Sequence, residues 1–532
     1  MSGEDTMRPP VSLRRVHEAL LGAAACLEPL LPLANSCMVS FITEDQWRRL
    51  VPGPLAAALL QLPAEQLLRL PAAAPDQLPA GPLRQLAEQL GRHRLSGCGV
   101  LSPPPPVSAA ALPLMDQFFS DKKLHEVDRM AATVAHLAAT GGVGQVVDLG
   151  SGKGYLSSML ALQHGLDVLA VEANEVHSHG AQKVNANIKK SWDAIVSRSA
   201  ALQIGQQPER RSRKWKRQQR SQDRSRHRPA PGRLTPVDQL VTSGTHLSEL
   251  VALHGDGHRP VAVVGLHTCG DLAVNSIRMF SEMPQASLLV NVGCCYHLQR
   301  ERFECQFWAD LDLQEVSFPL SRPLLERRFA LGQQARGLAA QASERIASYQ
   351  RPPSPFLYYR AVLQVFLQDR LGTVPTDIMV GRLARKARDY LDYMHMALSK
   401  YPLDHRAVSD AELLAYHDRL LEHRPRLEAF SVLRSALAPL VEAVLLLDRL
   451  AFLMEQDSIE TAHLVQLFDP VTSPRCYALI ATKRSGAVDE KSHRTGETEP
   501  TAVSGDSTVA CSDSEDSAES STMTVEARTA QT

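Results

Sequence analysis

A short glycine-rich stretch carries the clearest chemical signal in this sequence. It reads D-L-G-S-G-K-G over residues 148–154 and follows the apolar Val146 and Val147. Glycines allow a tight turn and close approach to a ligand, and a helix that starts after them offers free N–H groups and a positive dipole end. The dinucleotide fingerprint G-x-G-x-x-G places its third glycine one residue later. The pattern therefore predicts a strand, a loop for another kind of cofactor, and a helix.

An acidic residue follows at a distance that suits a ribose-binding partner. The apolar run 168–171 ends in Glu172, 24 residues after Asp148, and a carboxylate at such a strand end can accept both ribose hydroxyls. The loop resembles the first motif of class I S-adenosylmethionine-dependent methyltransferases. This resemblance implies that Asp148, Gly150, Gly152, Gly154 and Glu172 bind S-adenosyl-L-methionine. The alternative is an ordinary tight turn between a strand and a helix.

Cysteines and histidines mark the ends of two further apolar runs. His267 and Cys269 end the first run, and Cys294, Cys295 and His297 end the second. Continuous apolar runs are typical of strands that are covered on both faces in a parallel sheet. Because the carboxyl ends of such strands form the ligand crevice, these side chains are expected to lie together there.

Three functional interpretations of this group remain open. Zinc is disfavoured, and no metal is predicted, because H-x-C with C-C-x-H lacks the usual two-residue gap between paired ligands. A cysteine nucleophile at Cys269 or Cys295, as in pyrimidine C5 methylation, would need a lowered thiol pKa. We favour a substrate pocket in which His267 or His297 accepts a proton or orients the substrate. Buried free cysteines and core histidines are the structural alternative.

A basic turn is predicted just before the cofactor strand. Ser120 or Asp121 is a natural N-cap for a helix that runs to about residue 139. The first turn of this helix is expected to border the mouth of the site, unless it is simply solvated. Its polar members are Lys122, Lys123, His125 and Glu126.

A longer basic segment interrupts the apolar pattern. Glu209–Arg228 contains ten Lys or Arg, two acidic residues and one tryptophan, and lacks the apolar periodicity of a folded element. Basic loops neutralise phosphates, and an aromatic ring can stack on a base. The alternatives are a nuclear-localisation signal or a solubilising insert. The predicted RNA contacts are Arg213, Lys214, Trp215, Lys216 and Arg217.

Charge and cysteine usage narrow the class of protein. The 532 residues contain 57 Lys and Arg and 58 Asp and Glu, but the segment Ser485–Thr532 holds ten of the acids and only three of the bases. The remainder therefore has 54 bases against 48 acids, an excess that attracts polyanions. Nine cysteines without a regular framework favour a reducing compartment, and the N-terminus lacks a signal-peptide pattern. We expect an intracellular protein, cytoplasmic or nuclear. The apolar stretch 436–454 contains three charges and predicts a core helix rather than a membrane span.

Leu- and Ala-rich helical patterns flank the predicted α/β core. The run 102–106, one serine and four prolines, cannot join a helix or a sheet and is expected to act as a stiff spacer. Near the end of the pattern, two short strands predict a hairpin that supplies an antiparallel edge strand. The predicted divisions are a helical domain with a Pro-rich linker (1–110), a Rossmann-like core (111–318) with a disordered basic insertion (205–235), a helical lobe (319–455), terminal strands (456–484) and a disordered acidic tail (485–532).

Several of these strings together resemble the methyltransferase-like protein 25 family. They are D-L-G-S-G-K-G at 148–154, G-L-H-T-C-G-D-L at 265–272 and N-V-G-C-C-Y-H at 291–297. The resemblance covers most of residues 110–484 and implies a class I methyltransferase sheet. The H-x-C-G and C-C-x-H pieces are more distantly similar to transfer-RNA 2′-O-methyltransferases of the acceptor stem, which implies an RNA substrate.

The signature of methyltransferases that act on adenine amines is missing. Methyltransferases that act on adenine amines place N-x-P-[YF] after the fourth strand, where this chain has Leu266-His267-Thr268-Cys269-Gly270. We therefore predict a methyltransferase that acts on RNA, such as tRNA or rRNA, or on a ribonucleoprotein. A protein methyltransferase and a catalytically silent cofactor- or RNA-binding module are the rival functions.

Overall fold

The computed structural model describes residues 11–107, 115, 118–203, 231–304, 315–375 and 378–484. The predicted basic insertion up to residue 230 and the acidic tail lie outside these residues, and so do the candidate RNA contacts at 213–217. A seven-stranded sheet forms the centre of the described part. Its strands are β1 (Gln145–Leu149), β2 (Asp167–Glu172), β3 (Leu234–Asp238), β4 (Val261–Cys269), β5 (Ala286–Cys294), β6 (Ile459–Gln466) and β7 (Tyr477–Lys483).

The strand order is β3-β2-β1-β4-β5-β7-β6. The pairs among β1 to β5 are parallel, whereas β7 runs antiparallel to both β5 and β6. All five residues of β1 are buried, as a strand covered on both faces requires. The predicted α/β, Rossmann-like sheet with an antiparallel terminal hairpin is confirmed.

Helices precede, alternate with and follow the strands. Before the sheet lie α1 (Leu13–Leu27), α2 (Leu31–Ala34), α3 (Gln46–Leu50), α4 (Gly53–Gln61), α5 (Ala64–Arg69), α6 (Pro82–His93) and α7 (Asp121–Thr140). Between the strands lie α8 (Tyr155–His164), α9 (Glu175–Gln203), α10 (Leu247–His254) and α11 (Leu272–Glu282). After β5 come α12 (Arg322–Glu326), α13 (Gln333–Leu338), α14 (Ser343–Tyr349), α15 (Pro355–Leu371), α16 (Tyr390–Leu398), α17 (Asp410–Arg419), α18 (His423–Ala436) and α19 (Ala438–Met454).

The topology creates a crevice beside the end of β1. The chain leaves β1 towards β2 on one side, and β4 pairs with β1 on the other side. Ligands bind at such a switch point, outside the carboxyl ends of the strands. The helix before β1 starts at the same edge, because Ser120 caps α7 by accepting a hydrogen bond from the Lys123 amide. The structure therefore gathers the loop after β1, the ends of β4 and β5 and the first turn of α7.

Three details differ from the sequence-based expectations. β3 was not predicted, and it begins at Leu234, inside the range assigned to the basic insertion. Pro236 argues against a strand in the sequence pattern, but β3 is an edge strand, where proline is tolerated. The antiparallel strand is β7, one position inside the edge, and β6 is the edge strand. Ser102, next to the proline run, does join the sheet, because its amide donates to the Leu464 carbonyl at 2.9 Å.

The helices before and after the sheet share one apolar core. α1 packs along α19, and buried side chains of both join a cluster that covers one face of the sheet. The predicted domain boundaries stay predictions, because shared packing does not establish which segment folds alone. Among the described residues, two helical stretches are long and apolar enough to cross a membrane, Leu13–Ala34 and His423–Met454, with 44% and 89% of their most apolar windows buried in the fold. The stretch predicted as a core helix lies in the second.

Two adjacent leucines of α1 test this packing. Leu20 is fully buried, whereas Leu21 is 37% exposed. We expect Leu20→Ala to lower the free energy of unfolding by about 2–5 kcal/mol, because it leaves a cavity in the shared core. Leu21→Ala is the matched control and should change it by less than about 1 kcal/mol. Urea denaturation measures both, and equal effects would contradict the packing of α1.

Candidate active site at the carboxyl edge of the sheet

The loop after β1 is a cradle of backbone amides. Gly150, Gly152 and Gly154 have φ values of 73°, 56° and 66°, a left-handed conformation that favours glycine. A Cβ on Gly152 would meet no atom within 4 Å, so the space above the loop is open. The loop leads directly into α8, whose first amides face the same edge. This shape suits a ligand that approaches the backbone closely.

Two carboxylates hold the cradle in different ways. Glu172, at the end of β2, accepts hydrogen bonds from the amides of Gly152 at 2.8 Å and Asn174 at 3.0 Å. Asp148 is buried, and its carboxylate accepts a 2.5 Å hydrogen bond from the Ser157 hydroxyl on α8. Burial raises the pKa of Asp148 to about 6, although the Ser157 hydrogen bond opposes this shift. In this structure Asp148 joins the strand to the following helix, and Glu172 stands at the crevice.

Glu126 is the centre of a second group at this edge. Its side chain is completely buried, yet it lies 3.4 Å from the ammonium groups of both Lys122 and Lys123. The Nε2 atom of His267 is 3.0 Å from one carboxylate oxygen, and the Ser473 hydroxyl donates to the other at 2.6 Å. Three separate parts of the chain therefore meet at one carboxylate: the first turn of α7, the end of β4 and the β6–β7 connection.

The surroundings keep Glu126 ionised. Burial alone would raise the pKa of this carboxyl, but the adjacent His267 imidazole, the Ser473 hydrogen bond and Lys123 together lower it to about 2. An ionised carboxylate orients the imidazole and stabilises its protonated form. The sequence places Glu126 near the mouth of the site but indicates no role for it, and no local pattern points to Ser473. The helical spacing of Glu126 from Lys122 and Lys123 is the only local signal for this role.

An unusual backbone conformation presents His267 to Glu126. The β4–β5 register shifts between Leu266 and Thr268, and the intervening His267 has a φ of 66°. Such a bulge re-aims a side chain, and a left-handed histidine persists only where the surroundings enforce it. Strain of this kind concentrates at functional sites.

The predicted substrate contacts on α7 divide into two groups. Lys122 and Lys123 remain 46% and 32% exposed while they contact Glu126, so they border the crevice. His125 instead accepts a hydrogen bond from the Asp469 amide at 3.1 Å and packs edge-on against Phe468. His125 therefore attaches α7 to the segment after β6.

The three predicted thiols do come together. Cys269 Sγ lies 2.9 Å from Cys294 Sγ, which lies 3.7 Å from Cys295 Sγ, and all three cysteines are free. Hydrogen bonds from Cys269 and Cys294 lower the pKa of the Cys295 thiol. The pKa of the Cys294 thiol is raised by its contacts with the other two thiols. His297 lies on the turn Tyr296–Leu298, and its charge also favours the Cys295 thiolate. Among these contacts His297 has no carboxylate partner, whereas His267 has Glu126. A carboxylate of this kind orients an imidazole that acts as a base, so His267 is the better candidate.

The buried charge of Glu126 gives a pH-dependent prediction. The folded pKa of about 2 lies below the ordinary value of 4.5, so the ionised carboxyl stabilises the fold above pH 4.5 and this contribution fades as the pH falls towards 2. We expect Glu126→Gln to lower the melting temperature at neutral pH, and the difference from wild type to shrink between about pH 5 and pH 3. Differential scanning fluorimetry measures the series.

Glu28→Gln is the matched control for this charge change. Glu28 is 53% exposed and pairs with the exposed Arg327, and such pairs contribute about 0–1 kcal/mol. The paired, ionised state of Glu126 would be contradicted if Glu126→Gln lowered the melting temperature only as much as Glu28→Gln does. It would also be contradicted if the decrease for Glu126→Gln did not change with pH.

Comparisons with known proteins agree with this architecture. A protein-family profile described as a methyltransferase domain matches residues 122–302, the range that contains the glycine loop, Glu126 and the thiols. The human protein named probable methyltransferase-like protein 25 is 32% identical over 69% of this chain and 75% of its own length. Its mouse counterpart is 28% identical over 89% of this chain and 97% of its own length. These matches and the sheet order confirm the class I methyltransferase fold, and the chain belongs to the methyltransferase-like protein 25 family.

Proposed function

We propose that this protein is an S-adenosyl-L-methionine-dependent methyltransferase whose acceptor is RNA, with tRNA and rRNA as the first classes to test. One juxtaposition supports this proposal above all: the open glycine cradle and His267, which contacts the ionised Glu126 of α7, lie at neighbouring strand ends. β1 and β4 are adjacent, with Asp148 level with Val264, so the cofactor loop and His267 open onto one crevice.

The residues at the crevice fit the proposed cofactor. Open space above Gly152 leaves room for a ligand against the backbone, and Glu172 offers carboxylate oxygens at the end of β2 for ribose hydroxyls. Val176 and Leu240, near the ends of β2 and β3, are 78% and 67% exposed and offer apolar cover for a purine. When bound, S-adenosylmethionine would supply an electrophilic methyl group. Asp148 supports the loop from below through Ser157.

The chain's own contribution to the reaction is alignment and proton removal. A hydroxyl or amine acceptor must lose a proton as it gains a methyl group, and a nearby imidazole can take that proton. His267 would be the proton acceptor, and Glu126 would be a positioning residue that holds the ring and stabilises the imidazolium. Lys122 and Lys123 keep positive charge at the mouth, where a phosphate would lie.

RNA is the favoured acceptor because of the charge distribution. Outside the tail the chain carries 54 bases and 48 acids, and ten of those bases lie in the segment Glu209–Arg228. In the sequence this segment lies between α9 and β3, and β3 is the edge strand next to β2. Positive charge of this density binds a polyanion through its phosphates, with little dependence on sequence.

A labelling experiment tests the proposed activity. The purified protein is incubated with methyl-labelled S-adenosylmethionine and with total RNA or total protein, and we expect label in RNA. Gly152→Arg should abolish cofactor binding in calorimetry and transfer of label, because the side chain would fill the cradle. Gly142→Arg is the matched control, since Gly142 has a similar φ of 65° and equally open surroundings at the opposite end of β1. Normal cofactor binding by Gly152→Arg would contradict the assigned cofactor site.

The outcomes of the labelling experiment separate the rival functions. Label in protein alone would support a protein methyltransferase. Cofactor binding without label in any fraction would support a silent binding module. His267→Ala should retain cofactor binding and lose transfer under the proposed mechanism.

The basic segment gives a second, independent prediction. Replacing Arg210–Arg228 by a Gly/Ser segment of equal length should leave cofactor affinity unchanged and weaken RNA binding. A plot of the logarithm of the RNA association constant against the logarithm of the salt concentration has a negative slope. Its magnitude should decrease by up to about 7, because each single-strand phosphate contact contributes about 0.7. A variant with the same residues in scrambled order is the control and should keep the slope. Fluorescence anisotropy across a salt series measures both, and an unchanged slope in the Gly/Ser variant would exclude the segment as an RNA contact.

A further inference from the structure

The strand ends that carry the thiols have an unusual backbone. In a regular strand, neighbouring side chains point to opposite faces, so Cys294 and Cys295 would point apart. Cys295 has a φ of 49°, and this left-handed turn lets its Sγ lie 3.7 Å from that of Cys294. The missing two-residue gap disfavours a metal only where paired ligands follow one another along one loop. Here they converge from two strands, and two of them are adjacent in sequence.

The bulge at His267 brings in the third thiol. Before the bulge Leu266 is level with Val292, and without it Thr268 would be level with Cys294. The extra residue instead places Cys269 level with Cys294, and their sulfurs lie 2.9 Å apart. Two non-glycine residues with positive φ are thus needed to gather three thiols. Conformations of this kind are strained and persist where the surroundings enforce them, as at ligand sites.

We propose that Cys269, Cys294 and Cys295 form a binding site for a thiophilic divalent cation, with Zn²⁺ as the expected ion. Their Sγ atoms all lie within 4.8 Å of one another. Three sulfurs at about 2.3 Å from one zinc ion in tetrahedral geometry are roughly 3.8 Å apart, so small side-chain shifts suffice. Soft thiolates select zinc over hard cations such as Mg²⁺.

A buried cation beside the thiols points to the same conclusion. Arg449 on α19 is 1% exposed, and both of its terminal nitrogens lack a hydrogen-bond partner among the described residues. Its Nη1 atom fills the space where Gly293, the residue before Cys294, would carry a Cβ. Three thiolates around Zn²⁺ carry one net negative charge, which this guanidinium would offset. The guanidinium also lies 5.5 Å above the Tyr296 ring, but its terminal nitrogens have no hydrogen-bond acceptor there. This is an independent sign of a negatively charged complex at the end of β5.

The cluster is reachable and has an open position. Cys269 is exposed, Cys295 is half-buried and Cys294 is buried, so an ion can enter from the crevice. Among the described ligand atoms the cluster contains only the three sulfurs. A fourth ligand would therefore be water or a bound molecule, as in zinc sites that take part in chemistry. Binding would release the thiol protons to solvent as each sulfur joins the ion.

Metal titration of the full-length protein tests this site. The protein is purified under reducing conditions, stripped with a chelator and titrated with Zn²⁺ against a chromogenic competitor, and with Co²⁺ to detect thiolate-to-cobalt charge transfer. We expect one ion per chain. Cys269→Ser, which changes an exposed thiol, should weaken Zn²⁺ binding by more than about 100-fold and remove the cobalt band. Cys37→Ser is the matched control, because Cys37 is also exposed but lies among the N-terminal helices.

The alternative outcomes are distinct. Circular dichroism confirms that each variant is folded, and Cys295→Ser provides a second test if Cys269→Ser is unstable. The proposed site would be overturned if Cys37→Ser weakened zinc binding as much as Cys269→Ser does. It would also be overturned by a reduced protein that binds no zinc, or by a Cys269–Cys294 disulfide found by mass spectrometry after purification in reductant. Loss of zinc with cofactor binding intact would leave the proposed methyltransferase function standing, so the two proposals fail separately.

Discussion

The arrangement of the candidate site depends on one buried negative charge. A carboxylate without solvent is strongly unfavourable unless cations and hydrogen-bond donors surround it. Glu126 obtains these partners from α7, from the strained end of β4 and from Ser473, 347 residues away in the chain. The requirement to compensate this charge fixes the position of His267 beside the crevice. It also ties the last two strands of the sheet to the helix that precedes the first.

A similar constraint joins the late helices to the end of β5. The Tyr296 hydroxyl donates to Glu442 on α19 at 2.9 Å, and Arg475 lies 3.5 Å from the same carboxylate. Burial raises the pKa of Glu442 to about 7, although Arg475 and Tyr296 oppose the shift. Further along the same helix, Asp448 accepts hydrogen bonds from the Leu320 and Ser321 amides at 2.9 Å each. The helical lobe is therefore part of the wall behind the thiols, and polar residues in an apolar helix make this contact.

Local sequence signals predicted the strands and the loop well. β1, β2, β4 and β5 are buried on both faces, so each is a continuous apolar run, and the glycines of 148–154 require a conformation that few other residues adopt. β3 was missed because it contains Pro236 and lies at an edge, where apolar patterning is weak. The terminal hairpin was recognised, but the position of β7 inside the edge depends on pairing with β5, which no local pattern encodes.

The site was predicted only in part, for a related physical reason. The ends of parallel strands meet at one edge, so the grouping of His267, Cys269 and Cys294 followed from the strand assignments. The burial of Glu126 did not follow, because it is produced by Ser473 and the segment after β6. Nor did the close approach of the thiols, since it needs a bulge at His267 and a left-handed Cys295. Long-range packing creates these conformations, and their own sequences disfavour them.

The position of β7 also has a consequence for synthesis of the chain on the ribosome. β5 pairs with β7, and 183 residues separate Cys294 from Tyr477. At about 5–20 residues per second, roughly 10–40 s pass before the partner strand emerges. During that interval one side of an apolar strand has no pairing partner, and exposed edges of this kind recruit other chains. Completion of the sheet is therefore a late event in synthesis, and the nascent protein depends on its own helices or on chaperones to shield β5 until then.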